Sequence, residues 1–299
     1  MVTRSLGIAL VSLTTGAGLI AGTQAATAVT RIVYFTATDS RGIYVDDLRP
    51  EDLVIRDGGQ VREILRVGRS QDRLKLSMVF DDSLAPDDVV RRAAGTLVER
   101  LQDSADVALY LVGNGAAKIL DFTSNPALFR QALNGIPRRS PGGGNVVEAL
   151  YQIIGDTRRL EGRRAIVLLT TEIPQRSSVT ANGVLDQLRD TGAVLYVATL
   201  ASTNTAAAPT PEMAHIEVME EVERDRVLND GPKQSGGLRF SLLNMDAFPA
   251  AFDRIRGELQ HQSSVTYAIP DGAKTDGRLS IASTRKGVTV RGPRQLPKI

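Results

Sequence analysis

The residue types with the clearest chemical potential follow one apolar run. Residues 74–80 form an apolar stretch of strand length, and Asp81, Asp82 and Ser83 come directly after it. A buried strand that delivers Asp-x-Ser onto a loop before a helix is the arrangement used at ligand sites of open α/β sheets, outside the carboxyl ends of the strands. Asp81 and Ser83 are therefore the first candidates for binding. The alternative is structural, because both side chains can cap the helix that follows.

The elements that must position these residues alternate between strands and helices. Residues 165–170 are almost wholly apolar, as expected of a central parallel strand that is covered on both faces. Helical patterns separate this run from strand-like runs at 107–112 and 193–200. The alternation predicts an α/β fold with a doubly wound, mostly parallel sheet.

Short β segments flank this α/β region on both sides. Neither residues 29–67 nor residues 265–291 offer enough apolar positions for an independent core. We therefore expect the two flanks to pack together as a small accessory β module. Asp57-Gly58-Gly59 predicts a hairpin within the first flank.

The first residues of the chain have the pattern of a secretory signal peptide. Arg4 precedes an uncharged apolar stretch at 6–21, and small residues follow at 23–28. We expect cleavage near Ala26 and export to the periplasm or the extracellular space. The alternative is an uncleaved membrane anchor, but the run is short and broken by glycine and threonine. No later segment is long and apolar enough to span a bilayer, so we expect no stable membrane span in the mature chain.

Composition excludes several classes of function. The chain has no cysteine, which rules out a disulfide framework, a thiol nucleophile and a zinc-thiolate site. Lysine and arginine total 36 against 34 for aspartate and glutamate, so no charge bias points to nucleic acid as a partner. The two histidines, His215 and His261, stand in no recognisable catalytic context. We therefore predict no enzymatic activity.

Several motifs resemble a known family when they are taken in order along the chain. They are the strand at 74–80, Asp81-x-Ser83, the segment 119–124, the glycine loop at Gly142 and the strand at 166–170. This order resembles the von Willebrand factor type A domain, and the flanks look like the exported bacterial proteins called VWFA-related. The resemblance covers nearly the whole mature chain. It divides the sequence into a signal peptide at 1–25, an N-terminal β module at 26–70, a type A domain at 71–261 and a C-terminal β segment at 262–299.

The resemblance implies a metal-ion-dependent adhesion site at the strand ends. That site takes an Asp-x-Ser-x-Ser loop, a threonine and a strand-end aspartate, because Mg²⁺ prefers hard oxygen ligands. Here Asp81 and Ser83 match, Ala85 replaces the second serine, Asn145 stands for the threonine and Thr171 stands for the aspartate. The implied site is a degenerate one formed by Asp81, Ser83, Asn145 and Thr171. We expect Mg²⁺ to bind it weakly and no other cofactor to be required.

These observations favour an exported protein-protein interaction or scaffold module with an unidentified protein partner. Two alternatives stay open. One is a metal-dependent hydrolase that uses Asp81, Asp82 or Glu172, although no paired acid-base constellation supports it. The other is a structural domain that binds no ligand at the ends of its strands.

Overall fold

The structure is a computed structural model that describes residues 29–113, 115–137, 144–172, 177–201, 211–273 and 275–297, with positions 211–219 described by their backbone alone. The predicted signal peptide and the glycine loop at Gly142 lie outside these residues. Within the described ranges, no helix combines the length and the apolar character needed to cross a membrane.

The strands are numbered in chain order: β1 (Val29–Thr38), β2 (Leu53–Asp57), β3 (Gln60–Arg62), β4 (Ile64–Arg69), β5 (Leu74–Asp81), β6 (Ala105–Val112), β7 (Ala116–Thr123), β8 (Arg163–Thr171), β9 (Val194–Leu200), β10 (Arg239–Leu242), β11 (Ser263–Ile269), β12 (Leu279–Ser283) and β13 (Thr289–Arg291). The α-helices are α1 (Asp88–Leu101), α2 (Pro126–Asn134), α3 (Val146–Thr157), α4 (Ala181–Thr191), α5 (Pro211–Ser235) and α6 (Phe248–Gln260). Short 3-10 turns occupy Pro50–Asp52, Asp82–Leu84 and Met245–Ala247.

A six-stranded sheet forms the centre of the molecule, in the order β10-β9-β8-β5-β6-β7. All neighbours in it are parallel except β6 and β7, which form an antiparallel pair. Helices α1, α2 and α6 cover one face, and helices α3, α4 and α5 cover the other. The predicted doubly wound, mostly parallel sheet is therefore confirmed.

The strand order places a topological switch point beside β5. The chain continues from β5 to β6 on one side and reaches β8 on the other side. In open α/β sheets of this kind a crevice opens at the carboxyl ends of the two strands where the order reverses. We call the carboxyl ends of β5 and β8, with their following loops, the crest.

The two β flanks form the accessory module that the sequence predicts. One sheet has the order β13-β1-β11-β4 and the other has the order β12-β2-β3, so each contains strands from both flanks. The hairpin at Asp57-Gly58-Gly59 joins β2 and β3. Five side chains in the shared core are almost completely buried: Val33, Phe35, Ile55, Val265 and Tyr267. Packing between the flanks therefore supplies the core that neither flank has alone.

The accessory module is attached at the end of the central sheet opposite the crest. Arg163, the first residue of β8, donates hydrogen bonds to the carbonyls of Asp72 and Leu259, each at 2.9 Å, and to the amide oxygen of Gln262 at 3.1 Å. Burial lowers the pKa of Arg163. These bonds tie the amino end of β8 to the segments that lead into and out of the module.

An ion-pair network around one buried carboxylate lies at the same end. The carboxylate of Glu258 is fully buried and pairs with Arg254 of α6 at 3.2 Å and with Arg291 of β13. The Tyr44 hydroxyl lies 3.5 Å from the same carboxylate. A Cβ at Gly257 would lie only 2.6 Å from that hydroxyl, so this close approach requires glycine. We call Glu258, Arg254, Arg291 and Tyr44 the base cluster.

His261 lies half-buried where α6 meets the accessory module. Its ring stacks on the Tyr44 ring with centroids 4.5 Å apart and an interplanar angle of 3°. Its Nδ1 lies 2.6 Å from the carboxylate of Asp46. His261 therefore helps to hold the module on α6, and this position could not be read from an isolated histidine in the sequence.

Candidate functional site

The crest brings the end of β5 beside the end of β8. In the parallel register Phe80 lies next to Leu169, so Asp81 and Thr170 follow side by side. Asp81 is completely buried, although it ends a strand that leads to the surface. An ionised carboxylate in such a place must be hydrogen-bonded to offset its lost hydration.

The hydrogen bonds that hold the Asp81 carboxylate include three from described residues. Oδ1 accepts the backbone N–H of Ser83 at 3.1 Å and that of Gly144 at 3.1 Å. Oδ2 accepts the Thr170 hydroxyl at 2.6 Å. The helix after this loop is capped instead by Asp87, whose carboxylate accepts the N–H of Val90 at 2.9 Å. Asp81 thus caps the 3-10 turn that directly follows it, as the structural alternative expects, whereas α1 has its own cap.

Glycine is needed where the loop before α3 reaches Asp81. A Cβ on Gly144 would lie 2.4 Å from the carbonyl oxygen of Val112, a distance that any other residue would have to relieve by moving the backbone. Asn145, the next residue, is the N-cap of α3 and accepts the N–H of Glu148 on its Oδ1 at 3.1 Å. The amide oxygen that the resemblance assigns to a metal is therefore already used to cap a helix.

Ser83 and Thr171 do meet, as the resemblance implies. Their hydroxyl oxygens are 2.8 Å apart and share a hydrogen bond. Ala85, at the position of the missing serine, has a left-handed backbone with φ of 43°. Glu172 follows Thr171 and is exposed. Of the four predicted site residues, Asp81, Ser83 and Thr171 converge directly, and Asn145 lies one residue beyond the Gly144 N–H that Asp81 binds.

A buried arginine completes the crest. Arg224, on α5, is only 3% exposed. Its guanidinium donates to the backbone carbonyl of Thr171 and lies 3.5 Å from the Thr170 hydroxyl. Burial lowers the pKa of Arg224, and the negative charge of Asp81 acts in the opposite direction. Arginine keeps its charge in proteins, so a fixed positive charge lies one hydroxyl away from Asp81. We call Asp81, Ser83, Thr170, Thr171 and Arg224 the crest cluster.

The crest cluster does not fit a tightly held divalent ion. Both oxygens of Asp81 accept hydrogen bonds from protein donors, and a guanidinium lies beside the strand end where the resemblance expects a second acid. A dication would have to displace these donors and approach a positive charge. No group of three or more histidine or acidic side chains occurs within the described residues that could hold a metal instead.

An open depression lies next to the crest cluster. It has a volume of about 410 Å³ and lies between the first turns of α3 and α4 and the adjoining part of α5. Its walls carry Ser177, Thr180, Asn182, Glu223 and Arg226 around the apolar side chain of Val147. Glu223 accepts the N–H of Ala181 at 2.6 Å and pairs with Arg226 at 3.1 Å. Glu220 also lines the depression, so its polar surface carries two carboxylates against one guanidinium.

Thr170 and Arg224 are the functional candidates that the sequence reasoning missed. Thr170 stands one residue before the position at which the resemblance expects an acid. Its contact with Asp81 can be predicted only when the register of β5 and β8 is known. Arg224 stands 54 positions after Thr170 along the chain. One feature of the sequence could have indicated Arg224. An arginine in the middle of a helix that covers an apolar sheet needs a buried hydrogen-bond acceptor.

No protein-family model matches this chain, and no curated protein matches it. Among solved structures, the zinc-occupied MIDAS form of proximal thread matrix protein 1 from the mussel byssus has 13% identity and a TM-score of 0.47, and the match covers 69% of this chain. This chain covers 49% of the mussel protein, about half its length.

Two bacterial structures are similar at the same level. BatB from Bacteroides thetaiotaomicron has 16% identity and a TM-score of 0.41, with 63% of this chain and 97% of BatB covered. The PilB minor pilin from Streptococcus sanguinis has 14% identity and a TM-score of 0.47, with 64% of this chain and 62% of PilB covered. The sheet order and the switch point of this chain show a doubly wound, mostly parallel α/β fold with an accessory β module.

Proposed function

We propose that this protein is an exported, non-enzymatic interaction module that binds a protein partner through its crest. The observation that carries the proposal is the open depression of about 410 Å³ beside the crest cluster. Ligands of open α/β folds bind at this end of the sheet. The crest is also the end left free by the accessory module, which is attached at the opposite end through Arg163 and Glu258.

The proposal includes recognition that does not depend on a divalent ion. In the site that the resemblance implies, the metal supplies a positive charge next to the strand-end carboxylates. Here Arg224 supplies a positive charge within the protein itself, bonded to the end of β8. Because a covalently attached cation cannot be removed by a chelator, partner binding should survive chelation. We expect the incomplete set of oxygen ligands to bind Mg²⁺ only in the millimolar range or more weakly.

Export is the second part of the proposal, and it is supported by Arg4 and the apolar stretch at 6–21. The absence of cysteine means that an exported form must rely on its packed core for stability. The chain has two large buried clusters around the central sheet and a third in the module. This amount of core is consistent with a stable protein that has no disulfide bonds.

Site-specific photo-crosslinking in the cells that produce the protein tests the proposal. A photoreactive amino acid at Asn182, an exposed residue of the depression, should give a covalent adduct with one partner protein. The same amino acid at the exposed Arg56 of the accessory module is the matched control. The adduct at position 182 should persist in EDTA. Loss of the adduct in EDTA, or equal labelling from both positions, would contradict the proposal.

A further inference from the structure

A second surface lies between α1 and α6, on the face of the central sheet opposite the one that carries the depression. It is a groove of about 340 Å³ that is open to solvent along one side. Its floor is apolar and is formed by Val89, Ala93 and Leu97 of α1 with Pro249 and Phe252 of α6. A cavity of about 150 Å³ holds one benzene-sized group. The groove is therefore large enough for about two apolar side chains of a partner.

The rim of this groove has an excess of positive charge. Arg92 and Arg100 of α1 and Arg256 of α6 line it, against the single carboxylate of Asp253. Asp253 is paired with Arg256 at 3.3 Å. Arg92 and Arg100 are exposed, and neither side chain has a hydrogen bond or an ion pair within the described part of the chain. Two guanidinium groups are thus available to a partner.

The two available arginines have a defined spacing. Arg92, Thr96 and Arg100 are four residues apart in turn, so they form one stripe along α1. At 1.5 Å of rise per residue, the stripe places the Arg92 and Arg100 backbones about 12 Å apart. A partner helix places two acidic residues at nearly this separation when they are seven residues apart. A groove between two packed helices also accepts the side-chain ridge of a third helix.

We propose that the α1/α6 groove binds an acidic amphipathic helix of a partner protein. Apolar side chains of that helix enter the groove over Ala93 and Phe252, and two carboxylates seven residues apart pair with Arg92 and Arg100. The surface is separate from the crest, so this proposal goes beyond the function proposed above and does not depend on it.

Peptide binding to the full chain tests the proposal. The probe is a synthetic helical peptide of about sixteen residues with two glutamates seven residues apart and two leucines between them on the same face. Fluorescence anisotropy should show saturable binding that weakens with added salt, because exposed ion pairs are screened. A peptide with glutamine in place of both glutamates should bind about four- to twenty-fivefold more weakly, since each exposed pair contributes about two- to fivefold.

Charge reversal provides the decisive comparison. The double variant Arg92→Glu/Arg100→Glu should no longer bind the glutamate peptide. It should bind a peptide with lysines at the same positions more tightly than the wild type does. The double variant Arg56→Ala/Arg66→Ala, which removes two exposed arginines of the accessory module, is the matched control and should bind as the wild type does. Both positions of the first pair are exposed, so folding should be retained, and circular dichroism checks this.

Three outcomes would overturn the proposal. One is equal binding of the glutamate and glutamine peptides, and another is an equal loss of binding in the control variant. The third is binding to vesicles of anionic phospholipid that depends on Arg92 and Arg100 while the peptide does not bind, which would assign the groove to a lipid surface. Failure of the crest crosslink would leave these results unchanged, so the two proposals fail separately.

Discussion

The crest cluster and the base cluster both bury an acidic side chain near arginine, but they connect the charges differently. At the base, Glu258 pairs directly with Arg254 and Arg291, and these contacts join α6 to a strand of the accessory module. At the crest, Asp81 reaches Arg224 through the Thr170 hydroxyl and takes its other bonds from backbone N–H groups.

This difference teaches what each buried charge can do. A carboxylate that contacts two guanidinium groups is fixed in place and depends on them, because Glu258 without these partners would be a buried unpaired charge. A carboxylate held mainly by backbone donors keeps its hydrogen bonds when a nearby side chain changes. The base cluster is therefore suited to joining two parts of the protein. At the crest, charged side chains can be substituted while the loop after β5 keeps its conformation.

The largest expected effect is at the base. The substitution Glu258→Gln keeps the shape of the side chain but leaves the part-exposed Arg254 and Arg291 without their counterion, which should lower the free energy of unfolding by about 2 kcal/mol. Urea unfolding measures this change. Glu99→Gln is the control, because Glu99 pairs with Arg130 on the surface and should change stability by about 0.5 kcal/mol or less. A loss at Glu258 no greater than that of the control would show that the base cluster does not join the two parts.

A smaller effect should appear when the crest is rebuilt as a metal site. The triple variant Ala85→Ser/Asn145→Thr/Thr171→Asp restores the ligand types that the resemblance implies, and Mg²⁺ affinity should rise above the millimolar range of the wild type. Adding Arg224→Met should raise the affinity by about a further tenfold, because it removes the positive charge beside the new carboxylate. Isothermal titration calorimetry on the wild type, the triple variant and the quadruple variant measures the order of their Mg²⁺ affinities. Micromolar Mg²⁺ binding by the wild type, or no gain from Arg224→Met, would contradict the role assigned to Arg224.

The smallest expected effect is the alkaline response of the base. Burial, followed by the charge of Glu258, raises the pKa of Tyr44 to about 12 from its ordinary value of 10.0. A raised pKa in the folded protein means that the neutral hydroxyl contributes stability below pH 10, and this contribution is lost as the pH rises towards 12. The unfolding free energy of Tyr44→Phe should therefore fall less steeply than that of the wild type between pH 10 and about pH 12, the interval between the ordinary and the raised pKa. Equal slopes for the two proteins would show that the Tyr44 hydroxyl is not coupled to the charge of Glu258.

Much of the fold could be predicted because its signals are local. The apolar run of β5 is followed at once by Asp81, and the turn at Asp57-Gly58-Gly59 joins two short strands. Alternating strands and helices fix the sheet class, since parallel strands need crossover connections. The pairing of the two flanks also followed from their lack of separate cores. Asp81, Ser83 and Thr171 lie together in the structure, but their use as a metal site stays a prediction. The use of Asn145 as a helix cap was not foreseen.

The sequence by itself determined the order of the strands and helices along the chain, the carboxylate at the end of a buried strand and the missing oxygen ligand at Ala85. Only the tertiary structure decided which charges meet. Arg224 reaches the end of β8 from α5, and Arg291 reaches Glu258 from β13. The α1/α6 groove likewise exists only after two helices that are distant in sequence pack on the same face of the sheet. The physical reason is that periodicity encodes which face of an element is buried, whereas a long side chain finds its partner through the packing of elements whose separation in sequence carries no local pattern.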